Sequence, residues 1–286
     1  MPQIQNPETL LDYLTISTDY LQSKGIDDPR LNVQLMLCHI LQIDKIALYM
    51  KYDYPLTREE ISTLREFLKR RVNREPLQHI LGETQFLDFN FKVSKDVLIP
   101  RPETEELVDY AVKELKKIPN PSILEIGTGS GIIPISMARY LSGSKIVAID
   151  ISEEAILIAK KNAFINKVEN QIEFQIRNFL TDTFSGQFDC IISNPPYISK
   201  EEVIQLEPEV KNFEPHIALT DGNDGLDFYR RFKTAITENL KPGGLIFLEL
   251  NESLAKEAKE ILAPVLSHSE IIPDMQNKPR IFRGMK

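Results

Sequence analysis

Apolar positions along the chain change their period twice, and each change marks a boundary. Over residues 1 to about 80 the spacing is helical and nothing alternates like a strand. Asn6-Pro7-Glu8 supplies a capping side chain, a proline for the first helical position and an acid near the positive end of the dipole. Leu10, Leu11, Leu14, Ile16 and Leu21 give the first helix its stripe, and Lys24-Gly25 ends it. Asp28-Pro29 opens a second helix through Leu31, Val33, Leu35, Met36, Leu37 and Ile40. Thr57 with Glu60 reads as a capping box for a third, running through Arg71. These helices predict a small bundle. From Leu87 to Val93 the apolar residues fall on odd positions, as in a half-buried strand, with Val97 to Ile99 as its expected hairpin partner. A helix with Glu103, Glu105 and Glu106 in its first turn follows Pro100-Arg101-Pro102. From Ser122 the elements alternate. Strands are expected at 122–126, 145–150, 171–175, 188–193 and 244–250, and helices at 130–141, 152–165, 224–239 and 252–264. Ile271 and Arg280-Ile281-Phe282 add the last strands. The order is that of an α/β domain with a largely parallel sheet.

The chain of 286 residues has room for one large domain and a smaller one. It lacks a run of about 18 apolar residues, so no membrane span is expected, and its start lacks the basic-then-apolar order of a signal peptide. Cys38 and Cys190 sit inside apolar runs and read as buried reduced thiols of a cytoplasmic protein. Cys38-His39 is too close in sequence to put both side chains on one helix face, so no metal site is expected. A net charge of −8 disfavours broad binding to nucleic acid. The basic cluster Lys69, Arg70, Arg71 and Arg74 is either a solvated helix end or a docking surface for an acidic partner.

Candidate chemistry concentrates at strand ends. The strand Phe188 to Ser193 stops at Asn194-Pro195-Pro196-Tyr197, because neither proline can donate to a ladder and each restricts the residue before it. The Asn194 side chain and the Asn194 and Pro195 carbonyls then stand as acceptors beside the Tyr197 ring, an arrangement suited to a planar amino group. A plain turn would use the same residues. Between the strand 122–126 and the next helix lies Gly127-Thr128-Gly129-Ser130-Gly131. Its glycines permit a tight turn and close approach of a ligand to backbone and helix N-terminus. Ile132 stands where a dinucleotide fingerprint needs glycine, so the spacing fits a nucleoside ligand without a pyrophosphate. Asp150 ends the next strand, where a carboxylate can accept both ribose hydroxyls or cap the following helix, a task Ser152 could also take. Asn178 and Phe179 follow the third strand and could meet an adenine edge and face, or could be loop and core residues.

Together these features resemble a class I S-adenosylmethionine-dependent methyltransferase acting on a planar amino nitrogen. The whole chain is similar to the protein-(glutamine-N5) methyltransferases of peptide chain release factors, the PrmC/HemK family. Glu75 to Gly82, Pro100-Arg101-Pro102-Glu103-Thr104-Glu105, Phe213-Glu214-Pro215 with Ala218-Leu219, and Asp224-Gly225-Leu226 carry the resemblance beyond the catalytic motif. The family often has aspartate and tryptophan where this chain has Asn178 and Phe179. The resemblance implies a helical substrate-docking domain over 1–82, a hairpin linker over 83–100 and a Rossmann-like methyltransferase domain over 101–286. It implies that Asn194, Pro195, Pro196 and Tyr197 form the catalytic pocket. Gly127, Thr128, Gly129, Ser130, Gly131, Asp150, Asn178, Phe179 and Asn194 would hold S-adenosylmethionine, released as S-adenosylhomocysteine. The implied partner is a release factor, met by a monomer without direct contact to nucleic acid or membrane. The competing reading is an adenine-N6 methyltransferase of DNA or RNA, which needs a flipped base and a basic groove. Against it, residues 86–286 carry 30 acids and 24 Lys plus Arg.

Overall fold

A computed structural model describes residues 8–286, which divide into two compact units, residues 1–82 and 83–286. The first unit is all helical: α1 (Leu10–Ser23), α2 (Pro29–Leu41), α3 (Lys45–Met50), α4 (Arg58–Val72) and α5 (Leu77–Leu81). Asn6 and Pro7 lie outside the described residues. Within them, Thr9 caps α1 in a capping box with Asp12, and Thr57 does the same for α4 with Glu60. The stripe that is buried on α1 is Leu10, Leu14 and Leu21, whereas Leu11 and Ile16 remain over a third exposed. They close a core with Val33, Met36 and Leu37 of α2, Leu48 of α3 and Leu64 of α4. Asp28 precedes α2 as expected but makes no side-chain cap. The Asn32 amide bonds the Asp27 and Asp28 carbonyls there.

Neither reading of the basic cluster survives intact. Arg71 is buried and bonds the Asn32 carbonyl oxygen, and Arg70 forms a two-bonded pair with Glu75. These two arginines hold the α4–α5 junction together, while Lys69 stays exposed.

The second unit begins with a hairpin, β1 (Glu83–Phe86) and β2 (Phe89–Lys92), and continues with α6 (Pro102–Leu115). Of the strand expected over Leu87 to Val93, Phe89–Lys92 is strand, while Leu87 and Asp88 form the turn that joins it to β1. Leu87 takes a left-handed φ of 51°, its N–H donates to Glu105, and Tyr140 donates to Asp88. The alternation persists in the burial, with Leu87, Phe89 and Phe91 packed on the core and Asp88 and Asn90 exposed. Val97 to Ile99 is no strand. It is a buried loop whose Ile99 N–H donates to the carboxylate of Glu214. The hairpin is no free linker either, since Asn162 bonds the Lys92 backbone at both its N–H and its carbonyl.

The sheet elements follow: β3 (Ser122–Ile126), α7 (Ile132–Tyr140), β4 (Lys145–Asp150), α8 (Glu153–Ile165), β5 (Ile172–Ile176), β6 (Phe188–Ser193), α9 (Pro208–Phe213), α10 (His216–Leu219), α11 (Asp227–Asn239), β7 (Leu240–Glu249), α12 (Ala255–Leu262), β8 (His268–Pro273) and β9 (Pro279–Met285). They build a seven-stranded sheet in the order β5-β4-β3-β6-β7-β9-β8, in which only β9 runs against the others, antiparallel to both β7 and β8. The period of two sends Ile123, Cys190, Ile192 and Phe247 to the face covered by α6 and α7. It sends Leu124, Ile191, Ile246 and Leu248 to the face covered by α11 and α12. The expected α/β class is therefore observed, as a three-layer sandwich. The order of strand addition reverses between the parallel neighbours β3 and β6, and ligands of such sheets bind beyond the carboxyl ends of the strands at that switch. α11 starts later than expected because Asp221 accepts the N–H groups of Asn223, Gly225 and Asp227, holding 221–226 as a loop.

Candidate active site

The carboxyl ends of β3, β4 and β6 open on a cavity of about 280 Å³. Gly127 and Gly129 lie on its wall with φ of 75° and 53°, values that favour glycine. A Cβ on Gly129 would meet no atom within 4 Å, so its open side faces free space. Thr128, Ser130 and Gly131 take no place on the wall. Thr128 and Ser130 are buried, and the Ser130 carbonyl is bonded by Asn162. Gly131 permits packing: at φ 84°, a Cβ would come within 2.9 Å of Ile135 and 3.1 Å of Ala159.

Asp150 stands on the wall beside them. Its Oδ2 accepts from Gly129 N–H at 2.8 Å and its Oδ1 from Ser152 N–H at 3.0 Å. Ser152, not Asp150, caps α8 by accepting from Ala155 N–H. The Asp150 carboxylate is thereby left on the cavity, each oxygen retaining a lone pair. Burial raises its pKa, and the Ser152 and Gly129 N–H groups oppose the shift. Glu125, one residue before the end of β3, is fully buried and has no hydrogen-bond partner. Burial pushes its pKa well above the ordinary value, and the nearby Asp150 charge adds to the shift.

Asn178 and Phe179 reach the cavity from beyond β5. Asn178 Oδ1 accepts from Leu180 N–H, which leaves the amide nitrogen as its donor. Phe179 is first a core residue. It is buried, lies 4.6 Å from the Phe232 ring centroid and takes the Arg231 guanidinium over its ring.

At the end of β6, Asn194 and Pro196 line the cavity, whereas Pro195 and Tyr197 lie behind them. Asn194 Nδ2 donates to Thr104 Oγ1 at 3.1 Å, and Thr104 donates to Glu249 Oε2 at 2.7 Å. Tyr197 donates to Glu249 Oε1 at 2.9 Å. Burial raises the Glu249 pKa, opposed chiefly by those two hydrogen bonds. Burial and the Glu249 charge push the Tyr197 phenol well up, so it stays a donor. Asn194 Oδ1 accepts no bond from the described residues. The family-like stretches of the second unit converge here. Arg101 pairs with buried Glu214 at 2.6 Å, and Gly225 lets its loop approach the Tyr197 carbonyl, where a Cβ would stand 2.5 Å away.

Thr104, Glu125 and Glu249 escaped the reading of roles from sequence. A signal existed for Glu249: like Asp150, it is an acid ending an apolar strand. Thr104 gave none beyond its place in a family-like stretch.

Residues 12–82 match the PrmC N-terminal domain family and residues 108–207 the methyltransferase small domain family. A release factor glutamine methyltransferase of Fusobacterium nucleatum is 40% identical over 89% of this chain and 72% of its own length. One of Koribacter versatilis is 36% identical over 97% of this chain and 99% of its own. A solved methyltransferase from Pyrococcus furiosus shares the fold, with a TM-score of 0.52 and 18% identity over 80% of this chain and 99% of that one. With relatives 36–40% identical over 72% and 99% of their own length, and with both matched families in order along the chain, it belongs to the release factor glutamine methyltransferase family.

Proposed function

We propose that this protein transfers a methyl group from S-adenosylmethionine to the side-chain amide nitrogen of the glutamine in the Gly-Gly-Gln loop of a peptide chain release factor. The observation that carries the reading is the bonding of Asn194. Its Nδ2 is tied to Thr104, so its Oδ1 is offered to a donor entering the cavity. A primary amide brings two N–H donors; we assign one to Asn194 Oδ1 on the wall and the other to the carbonyl of buried Pro195 next to it. The relatives' shared name favours a glutamine amide over an adenine amino group as that donor.

The cavity fits the cofactor. Asp150 offers two lone pairs to ribose hydroxyls, and Gly127 and Gly129 admit a ligand against the backbone. Asn178 offers its amide nitrogen to an adenine edge. When bound, S-adenosylmethionine supplies a methyl group already activated by its sulfonium. The chain's own part is alignment. An amide nitrogen is a poor nucleophile because its lone pair is delocalised, and gripping both N–H groups turns that lone pair toward the methyl donor. Orientation of this kind contributes up to roughly 7–11 kcal/mol. Glu249, the carboxylate nearest to Asn194 in the hydrogen-bond network, is committed to Thr104 and Tyr197, so the amide proton leaves to water.

Residues 1–82 contribute none of these groups and are assigned to gripping the body of the release factor. A monomer suffices, since every group invoked comes from one chain, and a translation factor as substrate places the reaction in the cytoplasm without nucleic acid or membrane contact. No helix of the described residues is long and apolar enough to cross a membrane. The test is transfer from labelled cofactor to a purified release factor, with the site mapped by mass spectrometry. Label should appear on the loop glutamine, vanish with Gln→Ala in that loop, and fall sharply in Asn194→Ala. Comparable labelling of adenine in DNA would overturn the reading.

A further inference from the structure

We propose that Thr104 and Glu249 are positioning residues: a hydrogen-bond relay from the buried Glu249 carboxylate through the Thr104 hydroxyl fixes which end of the Asn194 amide faces the substrate. The inference rests on the methyl-transfer reading of this site and extends it to groups that touch neither substrate nor cofactor.

An asparagine amide is nearly symmetric in shape, so packing alone selects poorly between its oxygen and its nitrogen. The choice decides the chemistry, since a substrate N–H needs an acceptor. Here the polarity is set two hydrogen bonds back. Glu249 is 1% exposed, and its carboxylate has acceptors only. The Thr104 hydroxyl, itself fully buried, has a single proton, and at 2.7 Å that proton goes to Glu249 Oε2. Thr104 Oγ1 can then only accept from Asn194, so Nδ2 must point to it at 3.1 Å. The oxygen is left for the cavity. The second Glu249 oxygen takes the Tyr197 hydroxyl, and the Glu249 backbone carbonyl takes the Tyr229 hydroxyl at 3.0 Å. The carboxylate therefore has no freedom to swing away. One charge orients two members of the Asn194 to Tyr197 stretch.

Glutamine at 249 keeps the shape and reverses one arm. If its NH2 faces Thr104, the threonine proton turns to Asn194 and the amide flips. If its NH2 faces Tyr197, the phenol must accept instead of donate.

Full-length wild type, Thr104→Val, Thr104→Ser and Glu249→Gln are compared for methyl transfer to a full-length release factor, with calorimetric Kd for S-adenosylmethionine. Thr104→Val should lower kcat roughly 10–100-fold, the range for a lost bond in a chain ending on a charge, with KM and Kd nearly unchanged. Thr104→Ser should restore most of it, and Glu249→Gln should fall as Thr104→Val does. Normal turnover in Thr104→Val, a defect confined to KM, or a serine as poor as valine would each overturn the relay. If Thr104→Val does not fold, Glu249→Gln carries the test, and wild-type turnover there has the same consequence. A second readout needs no substrate: the Asn194 NH2 resonances, assigned by their loss in Asn194→Ala, should move toward solvent-exposed values in Thr104→Val, which removes their acceptor. Unmoved resonances overturn the relay even if the substrate proves different. Absence of transfer by wild type, with the resonances moving as expected, would instead overturn the proposed substrate alone.

Discussion

Asp150→Asn keeps the volume of the side chain and exchanges one acceptor oxygen for a donor. Both oxygens are already engaged, Oδ2 by Gly129 N–H and Oδ1 by Ser152 N–H. An amide can satisfy only one of them, so the other backbone donor faces an NH2. The ribose hydroxyls lose a charged partner in the same step. Hydrogen bonds to a charged group are worth about 1.5–3 kcal/mol, so affinity for S-adenosylmethionine should drop roughly 10–100-fold. Stability should move far less. Burial disfavours the charge, as its raised pKa records, and removing it offsets the lost N–H bonds, leaving a change within about 1 kcal/mol. Titration calorimetry with S-adenosylmethionine reads the first quantity and thermal unfolding of the apoprotein the second. A folded variant whose dissociation constant stays within about twofold of wild type would refute the ribose assignment. The same shift fixes a pH dependence: protonation removes an acceptor, so affinity should decline on acidification, starting above the range of an ordinary aspartate.

Gly131→Ala should cost about 2–4 kcal/mol in urea unfolding, from a left-handed φ of 84° and a Cβ within 3.2 Å of the Ala159 backbone; wild-type stability would contradict the packing role given to this glycine. In the helical unit, the Arg70 hydrogen bond holds the Glu75 carboxyl below its ordinary 4.5, so this pair stabilises the fold above that value and its contribution disappears as pH falls through the lower folded pKa. Thermal melts of wild type and Glu75→Gln should therefore differ at neutral pH and converge in that acid window, and a constant gap would show that the charge is not what matters.

The sequence was most legible where one residue type had one physical use. Strands β3, β4 and β6 were bounded correctly because apolar runs ended on glycine, aspartate and an asparagine followed by two prolines. Thr57 and Glu60 announced α4 in the same way. It misled where tertiary bonds outweighed local pattern. Leu87 to Val93 alternates as one strand should, yet Glu105 and Tyr140 hold Leu87 and Asp88 in a turn. Arg71 looked solvated by its charge and helix-end position but is buried on Asn32 from another helix. Short α3, α5, α9 and α10 span too few residues for periodicity to register. For the site, the residues facing the ligand were readable and those behind them were not. Thr104 and Glu249 are 145 positions apart, and nothing in a single chain couples them until the sheet is built.

Three acids stand at or near the carboxyl ends of parallel strands of one sheet, Glu125 on β3, Asp150 on β4 and Glu249 on β7, and what reaches each one separates their tasks. Asp150 meets backbone N–H groups that leave it facing the cavity; Glu125 meets no partner; Glu249 meets two hydroxyls that turn it inward. None of them is free beside Asn194 to act as a base. A site without a base must work through alignment, and alignment of an amide depends on the direction of each hydrogen bond as much as on its length. Reversing one proton in the chain from Glu249 to Asn194 would present a donor to a donor with almost no change in shape. A buried carboxylate, which cannot donate when ionised, removes that error at its source. The energy of burying Glu249 is in this sense bound to the fidelity of Asn194, more than to the stability of the sheet that carries it.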